Sequence, residues 1–503
     1  MNRKQRRNAN ATKSTARKAG LTFLTVAGVV SGTVGLGSPA QAAVFTSTDC
    51  SDLRSDLYLM GSQGGTLTAT FTGNCDILSD FIFQQETTII GPTTGDLTLR
   101  FINSNTVPQG FAAYKNFTIS NINFTRESGP GYFGNFIYGF AGSGGPYPSV
   151  TVSNVTFSDA EVSAAIYAEG NLTVSDSTFA NLTSYSGGVA ITTGTYDTEI
   201  TNSTFVDNKS IGQGQGGTVN TQGSLVVANS TFDSNESDFQ GGAIYALGAD
   251  SKTIYNSTFV GNSAGIDAAV FFSEGGVIAN STFWNNGDAD TYSIGADANN
   301  TYFFGNILAN DNANTVKLIN PAQTTVDLGA NLFTDDSFDV VSNGAGSSTL
   351  VTPQELDLGI LGLNQTAPTN TGTTSTVAIS STSAAHDFYT ATSPGINPTA
   401  TGAISSLLPA TDQRGVARPF GAGYDVGAFE LGASPDPTPS ESEAPTPSES
   451  EAPTPSESPE ITYKETLADT GSGDKTNYLG LVGFGTLAIL GGSVGLQRRR
   501  KRT

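Results

Sequence analysis

The stretch NSTFDSNESDFQGGAIYA, residues 229–246, decides the fold. Asn229 lies three residues before Phe232, Asn235 lies three residues after it, and Gly241-Gly242 precedes an apolar segment. Close variants recur along the chain, with 22 to 33 residues between successive phenylalanines. Such recurrence is typical of a fold that stacks copies of one unit. The aligned phenylalanines are Phe124, Phe157, Phe179, Phe205, Phe232, Phe259 and Phe283.

The repeats alternate apolar and polar residues, which is the period of a β-strand. LTVSDSTF (172–179) and TIYNSTF (253–259) are examples, and helical spacing is absent from the repeats. Leucine-rich repeats need several leucines in each unit, and these units have one at most. The pattern therefore predicts an all-β fold, a right-handed parallel β-helix of the pectate-lyase-like kind. We expect about ten coils between Cys75 and Leu332.

Stacked coils place like residues above like residues, about 4.8 Å apart. The phenylalanines should then fill the interior, while asparagines hydrogen-bond along the stack as a ladder. Glycines should occupy left-handed or crowded corners. The predicted structural repeat residues are Phe205, Asn208, Phe232, Asn235, Phe259, Asn262, Phe283 and Asn286, with Asn202, Asn229, Asn256 and Asn280 preceding each phenylalanine.

The N-terminal region has the features of an export signal. A leader with seven basic residues and no acid precedes the apolar run 21–36, and Ala40-Gln41-Ala42 offers small residues for cleavage after Ala42. We therefore expect residues 1–42 to be a secretory signal peptide, with a membrane-anchored N-terminus as the alternative. In an exported chain, Cys50 and Cys75 should form a disulfide.

Residues 43–75 should cap the first coil of the β-helix, which we place at 76–332. Leu53, Leu57 and Met60 share one face of a predicted helix over Ser51–Gly61, with Ser51 or Asp52 as N-cap. Residues 333–432 are predicted to form the C-terminal end of the solenoid. The segment 433–465 repeats PTPSESEA and should be an extended, disordered stalk, because it has little to bury and repels itself.

Residues 467–503 combine three features. Leu467, Ala468, Asp469, Thr470 and Gly471 precede an uncharged stretch, 478–496, that is long enough to cross a bilayer, and a basic cluster follows. This tail resembles the cell-wall sorting signal of Gram-positive surface proteins, with Ala468 where proline is usual (LAxTG for LPxTG), a variant similar to sortase substrates of high-GC actinobacteria. The resemblance implies cleavage after Thr470 by a sortase and covalent linkage of Thr470 to peptidoglycan.

Two further resemblances concern the body of the chain. FDSN (232–235) with GGAI (241–244) resembles the FxxN and GGAI repeats of chlamydial polymorphic membrane proteins, which are β-helical adhesins. Residues 304–430 resemble the closing segment of bacterial surface β-helix proteins, which ends in a DxRGxxR…DxGAxE signature. We interpret the signature residues as an ion-pair cap, with a binding site as the alternative: Asp412, Arg414, Gly415, Arg418, Asp425, Gly427 and Glu430.

The charge of the predicted mature chain excludes some partners. The whole sequence has 23 basic and 45 acidic residues. Thirteen basic residues and one acidic residue lie outside residues 43–470, so the predicted mature chain has 10 basic and 44 acidic residues. Such an acidic surface repels nucleic acid and anionic lipid. We predict no cofactor and no metal, although Ca²⁺ could bind an acidic turn such as DAD (288–290), where solvated loop acids are the alternative.

Catalytic motifs are sparse. A catalytic cysteine needs a histidine, and the only one, His386, is remote in sequence from both cysteines. A glycan hydrolase would need paired carboxylates, for which Asp207 and Asp233 on neighbouring coils are candidates. The alternatives are therefore a surface adhesin or ligand- and glycan-binding module, a cell-surface polysaccharide lyase or glycoside hydrolase, and a structural wall component.

We favour the adhesin or glycan-binding module, and leave enzymatic activity open. Recognition should depend on residues that vary between the copies, since the repeated ones are needed for stacking. In the opening stretch these are Asp233, Glu236, Asp238 and Phe239. The ligand is expected to be an extracellular glycan or cell surface.

Overall fold

The computed structural model describes residues 42–432 except 103–109, 128–133, 143–144, 186, 212–215, 249, 266–267, 288–290, 297–299, 311–316, 320–323, 336–347, 359–373 and 391–407. These residues belong to one compact unit, Met1–Asp436. Nearly all of the predicted signal peptide (1–42) lies outside the described residues, as do the DAD turn (288–290), the predicted stalk (433–465) and the predicted sorting signal (467–503). Within them, no helix is long and apolar enough to span a membrane.

The chain winds through three parallel sheets, and each sheet takes one strand from each coil. Sheet A has 12 strands, and every pairing in it is parallel. Its strands are β1 (Val44–Ser47), β2 (Gly65–Ala69), β5 (Thr87–Ile90), β8 (Phe117–Ser120), β11 (Val150–Ser153), β14 (Leu172–Ser175), β17 (Thr198–Thr201), β21 (Leu225–Ala228), β25 (Lys252–Tyr255), β29 (Gly276–Ala279), β32 (Asn300–Phe304) and β35 (Thr324–Asp327).

Sheet B contains the repeated phenylalanines and has 15 strands. Its main path is β3 (Gly73–Ile77), β6 (Leu97–Phe101), β9 (Asn123–Arg126), β12 (Thr156–Val162), β15 (Thr178–Ser184), β18 (Thr204–Val206), β22 (Thr231–Asp233), β26 (Thr258–Val260), β30 (Thr282–Trp284), β33 (Ile307–Ala309), β36 (Leu332–Phe333) and β37 (Thr349–Leu350). Short strands extend three of the coils: β19 (Lys209–Ser210), β23 (Glu236–Ser237) and β27 (Ser263–Ala264).

Sheet C completes each coil and has 10 strands. They are β4 (Phe81–Phe83), β7 (Phe111–Ala113), β10 (Ile137–Gly139), β13 (Ile166–Ala168), β16 (Ile191–Thr193), β20 (Val219–Thr221), β24 (Ile244–Ala246), β28 (Ala268–Phe272), β31 (Tyr292–Ala296) and β34 (Lys317–Ile319). The predicted parallel β-helix is thereby confirmed. The main path of sheet B crosses ten coils between Cys75 and Leu332, the number expected.

The phenylalanines of sheet B form a continuous column inside the solenoid. The register pairs Phe205 with Phe232 and Phe232 with Phe259, and these rings are fully buried. Ring centroids from Phe179 to Phe283 lie 4.5–4.8 Å apart, with interplanar angles of 2–4°. Each buried ring contributes about 1.5–3 kcal/mol through the hydrophobic effect, so the column is a large part of the core.

The asparagines that follow the phenylalanines form an interior ladder. Asn235 accepts hydrogen bonds through Oδ1 from the backbone N–H of Asn208 at 3.2 Å and from its side-chain amide at 2.9 Å. Asn235 Nδ2 in turn donates to Phe205 O and to Asn262 Oδ1. Asn262 repeats the pattern with Asn286. All four ladder side chains are fully buried, so each polar group must find its partner in the next coil.

The asparagines that precede the phenylalanines have a different role. Asn202, Asn229, Asn256 and Asn280 occupy the left-handed backbone region, with φ of 45–52°, at the corner between sheets A and B. This conformation favours asparagine among residues with a Cβ atom. The corner asparagines bond to one another less regularly, as from Asn256 Nδ2 to Asn229 Oδ1 at 3.1 Å. The repeated asparagine therefore serves two purposes, of which sequence analysis recognised one.

A second buried ladder went unrecognised in the sequence. From Phe179 to Phe283, the serine two residues before each phenylalanine accepts a hydrogen bond from the backbone N–H of the equivalent residue one coil earlier. Ser230 Oγ accepts from Ser203 N at 3.1 Å, and Ser257 Oγ accepts from Ser230 N at 3.2 Å. Each hydroxyl also donates to a carbonyl two residues before it, as Ser230 does to Ala228 O. These hydrogen bonds satisfy the corner turn in the coils from Phe179 to Phe283.

Gly241 and Gly242 are required by backbone geometry. Gly241 has φ of 66°, and a Cβ atom there would lie 2.3 Å from Ile244 O. A Cβ atom on Gly242 would lie 2.0 Å from Ser263 O in the next coil. The Gly-Gly pair therefore allows the chain to turn tightly into sheet C, as the sequence predicted for corner glycines.

The first coil is covered by a helix, α1 (Cys50–Gln63), which begins one residue before the predicted start and ends two after the predicted end. Leu53, Leu57 and Met60 are fully buried beneath it. The N-cap is Asp49, so the prediction of Ser51 or Asp52 as N-cap is wrong. Asp49 has extended backbone and accepts from both of those backbone N–H groups, at 2.7 and 3.0 Å. A disulfide joins Cys50 of the helix to Cys75 of β3.

The segment after the last coils lies along the side of the solenoid, whereas the sequence placed it at the end. A short helix, α2 (Pro353–Leu356), follows β37. Residues 374–390 and 408–432, here called the flank segment, then contact coils from Asn229 to Gly305. Thr374 Oγ1 donates to Asn229 O, Tyr389 Oη donates to Asn280 Oδ1, and Gly427 N donates to Gly305 O.

The outer face of the coils changes where the flank segment packs. In the earlier coils of sheet A the outward position holds polar residues such as Thr173, which is exposed. From β21 onward it holds mainly apolar residues, Val226, Val277 and Tyr302, with Thr253 of β25 between the first two. Val277 and Tyr302 pack against the core that Tyr389, Val426 and Phe429 complete. Packing on this flank is therefore hydrophobic in origin.

We predict that Asn235→Leu destabilises the solenoid strongly. The change keeps the branching of the side chain at Cγ but leaves the backbone N–H and one amide hydrogen of Asn208, and the carbonyl of Phe205, without their partner. At about 1–3 kcal/mol for each unsatisfied group, the free energy of unfolding should fall by at least about 3 kcal/mol. Equilibrium denaturation of the purified chain measures this change.

Thr173→Ala, on the outer face of sheet A, is the matched control and should change the free energy of unfolding by less than about 0.5 kcal/mol. Equal effects of the two substitutions would contradict the importance of the ladder.

Candidate functional site

The signature residues of the flank segment hydrogen-bond mainly to one another. Asp412 Oδ2 accepts from Arg414 Nη2 at 2.6 Å, and its Oδ1 accepts from the backbone N–H groups of Arg414 and Val416. Arg414 also stacks its guanidinium on the ring of Phe429 at 3.6 Å and donates to Glu430 O. These contacts close the segment on itself and leave its polar groups little capacity for a ligand.

Arg418 and Glu430 form the buried centre of the same network. Arg418 donates to the carbonyls of Asp425 and Gly427, and its Nη1 lies 3.6 Å from Glu430 Oε2. Glu430 accepts from the backbone N–H groups of Phe420 and Asp425. Burial raises the pKa of Glu430, and it also raises the pKa of Asp425. Both carboxyl groups therefore hold loop backbone in place.

His386, Asp387 and Asp425 form the cluster of potential metal ligands within the described residues, with ligand atoms within 4.8 Å of one another. Their carboxylate oxygens already have donors. Asp387 Oδ1 accepts from Gly423 N at 2.7 Å, and the two oxygens of Asp425 accept from Asp387 N and Leu431 N. The cluster therefore satisfies the backbone of the flank segment, and we do not assign a metal to it.

Asp207 and Asp233, the candidate acid pair, lie on adjacent coils. Asp207 follows β18 at a left-handed corner, and its backbone N–H donates to Asp233 O at 3.1 Å. Burial raises the pKa of Asp233, and the charge of Asp207 raises it further. The Asp207 charge therefore acts on the Asp233 carboxyl group, as expected of two acids on adjacent coils.

The other variable residues of the opening stretch point in separate directions. Glu236 accepts from Lys209 Nζ at 2.7 Å in an ion pair across the coils. Asp238 is exposed, while Phe239 is half-buried against Tyr245, with ring centroids 6.5 Å apart. These residues do not converge on one site.

Aromatic side chains do converge on the outer face of sheet C. In β7, β10 and β13 the apolar residues Phe111, Ile137 and Ile166 point inward and pair in register. Alternation along each strand turns the next residue, and the one two beyond it, outward. The outward side chains on these three coils, here called the aromatic grid, are Tyr114, Tyr138, Phe140, Tyr167 and Glu169.

The four rings of the aromatic grid contact one another. Tyr138 stacks on Phe140 with centroids 4.5 Å apart and an interplanar angle of 13°. The ring centroids of Phe140 and Tyr114 lie 4.0 Å apart. Those of Tyr138 and Tyr167 lie 5.0 Å apart, with an interplanar angle of 65°. All four side chains are half-buried, so each ring keeps an exposed portion. The grid is thus a preformed aromatic surface on rigid strands.

Glu169 lies at the edge of the aromatic grid. Its Oε2 accepts from Ala141 N at 3.1 Å, which holds the carboxylate beside the rings. Burial raises the pKa of both Tyr138 and Tyr167, and the charge of Glu169 raises both further. On the following coil the equivalent outward positions hold Thr192 and Gly194, so the aromatic surface ends there.

Sequence analysis missed the aromatic grid. The signal was the pair IYG (137–139) and IYA (166–168), in which a tyrosine stands between inward-pointing residues one coil apart. Phe140 and Glu169 could not be placed beside them before the register of the two coils was known.

The comparisons agree with the fold. A family model described as a right-handed β-helix region matches residues 38–259, and no curated protein matches. Among solved structures, the chain is similar to the pectate lyase Pel9A, at 13% identity and a TM-score of 0.40, over 78% of this chain and 97% of that one. It is also similar to tailspike protein 3 of bacteriophage CBA120, at 8% identity and a TM-score of 0.29, over 61% of this chain and 57% of that one.

The buried carboxyl groups of the flank segment predict a pH dependence of stability. Burial raises the pKa of the Glu430 carboxyl group in the folded protein, so this group binds a proton more tightly in the folded protein than in the unfolded chain. The contribution of Glu430 to the free energy of unfolding is therefore fully present below the pKa that it has in the unfolded chain. This contribution is lost as the pH rises through the higher pKa of the folded protein. Glu430→Gln should flatten the dependence of the free energy of unfolding on pH in this window.

Glu199→Gln, which removes an exposed acid on sheet A, is the control for the general effect of charge. Denaturation at a series of pH values measures both slopes. A slope that Glu430→Gln leaves unchanged would contradict the assignment.

Proposed function

We propose that this chain is a cell-wall-anchored surface protein whose β-helix binds glycans. The aromatic grid carries the binding part of the proposal, because a sugar ring has an apolar face that packs on aromatic rings and a polar rim that needs hydrogen-bond partners. Four rings with an adjacent carboxylate, on strands that hold them in place, meet both needs.

The sequence supports display at the cell surface. The signal peptide directs export, the Pro/Ser/Glu-rich stalk spaces the β-helix from its attachment point, and the tail from Leu467 has the order of a sortase signal. In this proposal a sortase is a transient partner, and Thr470 is linked to the peptidoglycan of a Gram-positive, actinobacterial cell. Nucleic acid is not a partner in this proposal, because the acidic surface of the mature chain repels it.

A second candidate is glycan hydrolysis at Asp207 and Asp233. Their position on adjacent coils, where the backbone N–H of Asp207 donates to Asp233 O at 3.1 Å, favours it. The described coils place no histidine near this pair, and the carboxylates would have to serve as both acid and base. Turnover of a bound glycan that is lost with Asp233→Asn would replace the binding function with this one.

Thr470→Ala should abolish covalent attachment to the wall. With threonine as the residue whose carboxyl group is transferred, the variant should be extracted by hot detergent, whereas the unchanged chain should need a peptidoglycan hydrolase for release. Immunoblots of the two fractions measure this. Asp469→Asn, at the variable position of the motif, is the control and should stay attached. Attachment of the Thr470→Ala chain would refute the sorting assignment.

Tyr138→Ala combined with Tyr167→Ala should reduce glycan binding at least about tenfold, because two packing surfaces are lost. Binding of a panel of soluble oligosaccharides to the hydrolase-released chain measures the effect. Tyr58→Ala is the matched control, since Tyr58 is an exposed tyrosine on the capping helix α1 and is not part of the grid. Equal losses in the two variants, or binding that neither affects, would refute the grid as the site.

A further inference from the structure

The aromatic grid carries an uncompensated negative charge. Among the described residues, the Glu169 carboxylate has one hydrogen bond, from Ala141 N to Oε2, and no ion-pair partner. Lys115 follows Tyr114 at the end of the grid two coils away from Glu169, and it is exposed. Any ligand that covers the rings therefore also covers a carboxylate that lacks a cation.

This charge decides which sugars fit. A neutral sugar lying on the rings can donate hydroxyl hydrogen bonds to Glu169, but it covers the carboxylate without supplying a counter-charge, which is costly. A uronate would add like-charge repulsion to that cost, both locally and from the excess of 44 acidic over 10 basic residues in the predicted mature chain. A sugar bearing an ammonium group would instead pair with the carboxylate.

The rings reinforce the same preference. The faces of tyrosine rings attract cations through the ring quadrupole. Burial raises the pKa of the Tyr138 and Tyr167 hydroxyl groups, and the nearby charge of Glu169 raises it further. An ammonium group beside Glu169 would therefore lie within a region that is negative on two counts. The three coils extend over about 10 Å, at about 4.8 Å between adjacent strands, so a short oligosaccharide can contact all four rings.

We propose that the ligand of the aromatic grid is a glycan of amino sugars with free amines, such as a polymer of glucosamine units. The sugar rings pack on Tyr114, Tyr138, Phe140 and Tyr167, and an ammonium group pairs with Glu169. This inference rests on the proposed glycan-binding function and specifies its ligand class. It assigns Glu169 as the residue that selects amine-bearing over acetylated or anionic sugars.

The test uses the chain released from the wall by a peptidoglycan hydrolase, with three probes: a glucosamine hexamer, the same hexamer fully N-acetylated, and an oligogalacturonate. Calorimetry should show tightest binding to the glucosamine hexamer, weakened by added salt, and no binding of the oligogalacturonate. Glu169→Gln should weaken binding of the amine hexamer at least about tenfold. It should not weaken binding of the acetylated hexamer, because the variant no longer has a charged carboxylate to desolvate beneath a neutral sugar.

Two controls separate the possible failures. Glu199→Gln removes an exposed acid on sheet A and should leave binding of all probes unchanged; if it weakens amine binding as much as Glu169→Gln does, diffuse charge attraction replaces the proposed site. Thermal unfolding of Glu169→Gln should match that of the unchanged chain, because the carboxylate accepts one backbone hydrogen bond that glutamine can also accept.

The outcomes also distinguish this inference from the proposed function. If the acetylated hexamer binds as tightly as the amine, and binding still requires Tyr138 and Tyr167, the grid binds glycans but Glu169 does not select amines. If no probe depends on those tyrosines, both the glycan site and its specificity are refuted.

Discussion

The solenoid depends on the requirement that each buried polar group in one coil be satisfied by its own counterpart in the next. Coils in a parallel stack are about 4.8 Å apart, so a buried asparagine has another asparagine within hydrogen-bonding distance above and below it. Asn208, Asn235 and Asn262 meet this condition through amide and backbone bonds. A single unpaired member would leave several groups unsatisfied, which explains why the residue repeats together with Phe232 and its copies.

This constraint separates the inside of the solenoid from the outside. Interior positions repeat because stacking requires it, while outward positions are free to differ between coils. The chain uses that freedom twice. On sheet A, outward residues change from Thr173 to Val226 and Val277, and the flank segment packs against the later coils. On sheet C, outward tyrosines on two successive coils bring rings into contact.

The ionisable groups divide in the same way. Asp412, Arg418, Asp425 and Glu430 are buried, and their hydrogen bonds hold the flank segment together. Glu169 is half-buried and keeps one oxygen available beside aromatic rings. A buried carboxylate with all its donors inside the protein stabilises a loop, whereas a partly exposed one with a single donor can still bind a cation. For this reason the aromatic grid, and not the more conspicuous signature, is the site we favour.

Sequence alone determined the fold class, the number of coils from Cys75 to Leu332, and the inward direction of the repeated phenylalanines, because strand period and repeat spacing are local properties. It did not separate the two asparagine positions: whether Asn229 turns a corner and Asn235 joins a ladder depends on backbone conformation. Nor could it show that the flank segment lies along the coils, or that Phe140 stacks on Tyr138 beside Glu169. Those contacts join residues whose proximity is set by the register of stacked coils and by long-range packing, and only the tertiary structure decides both.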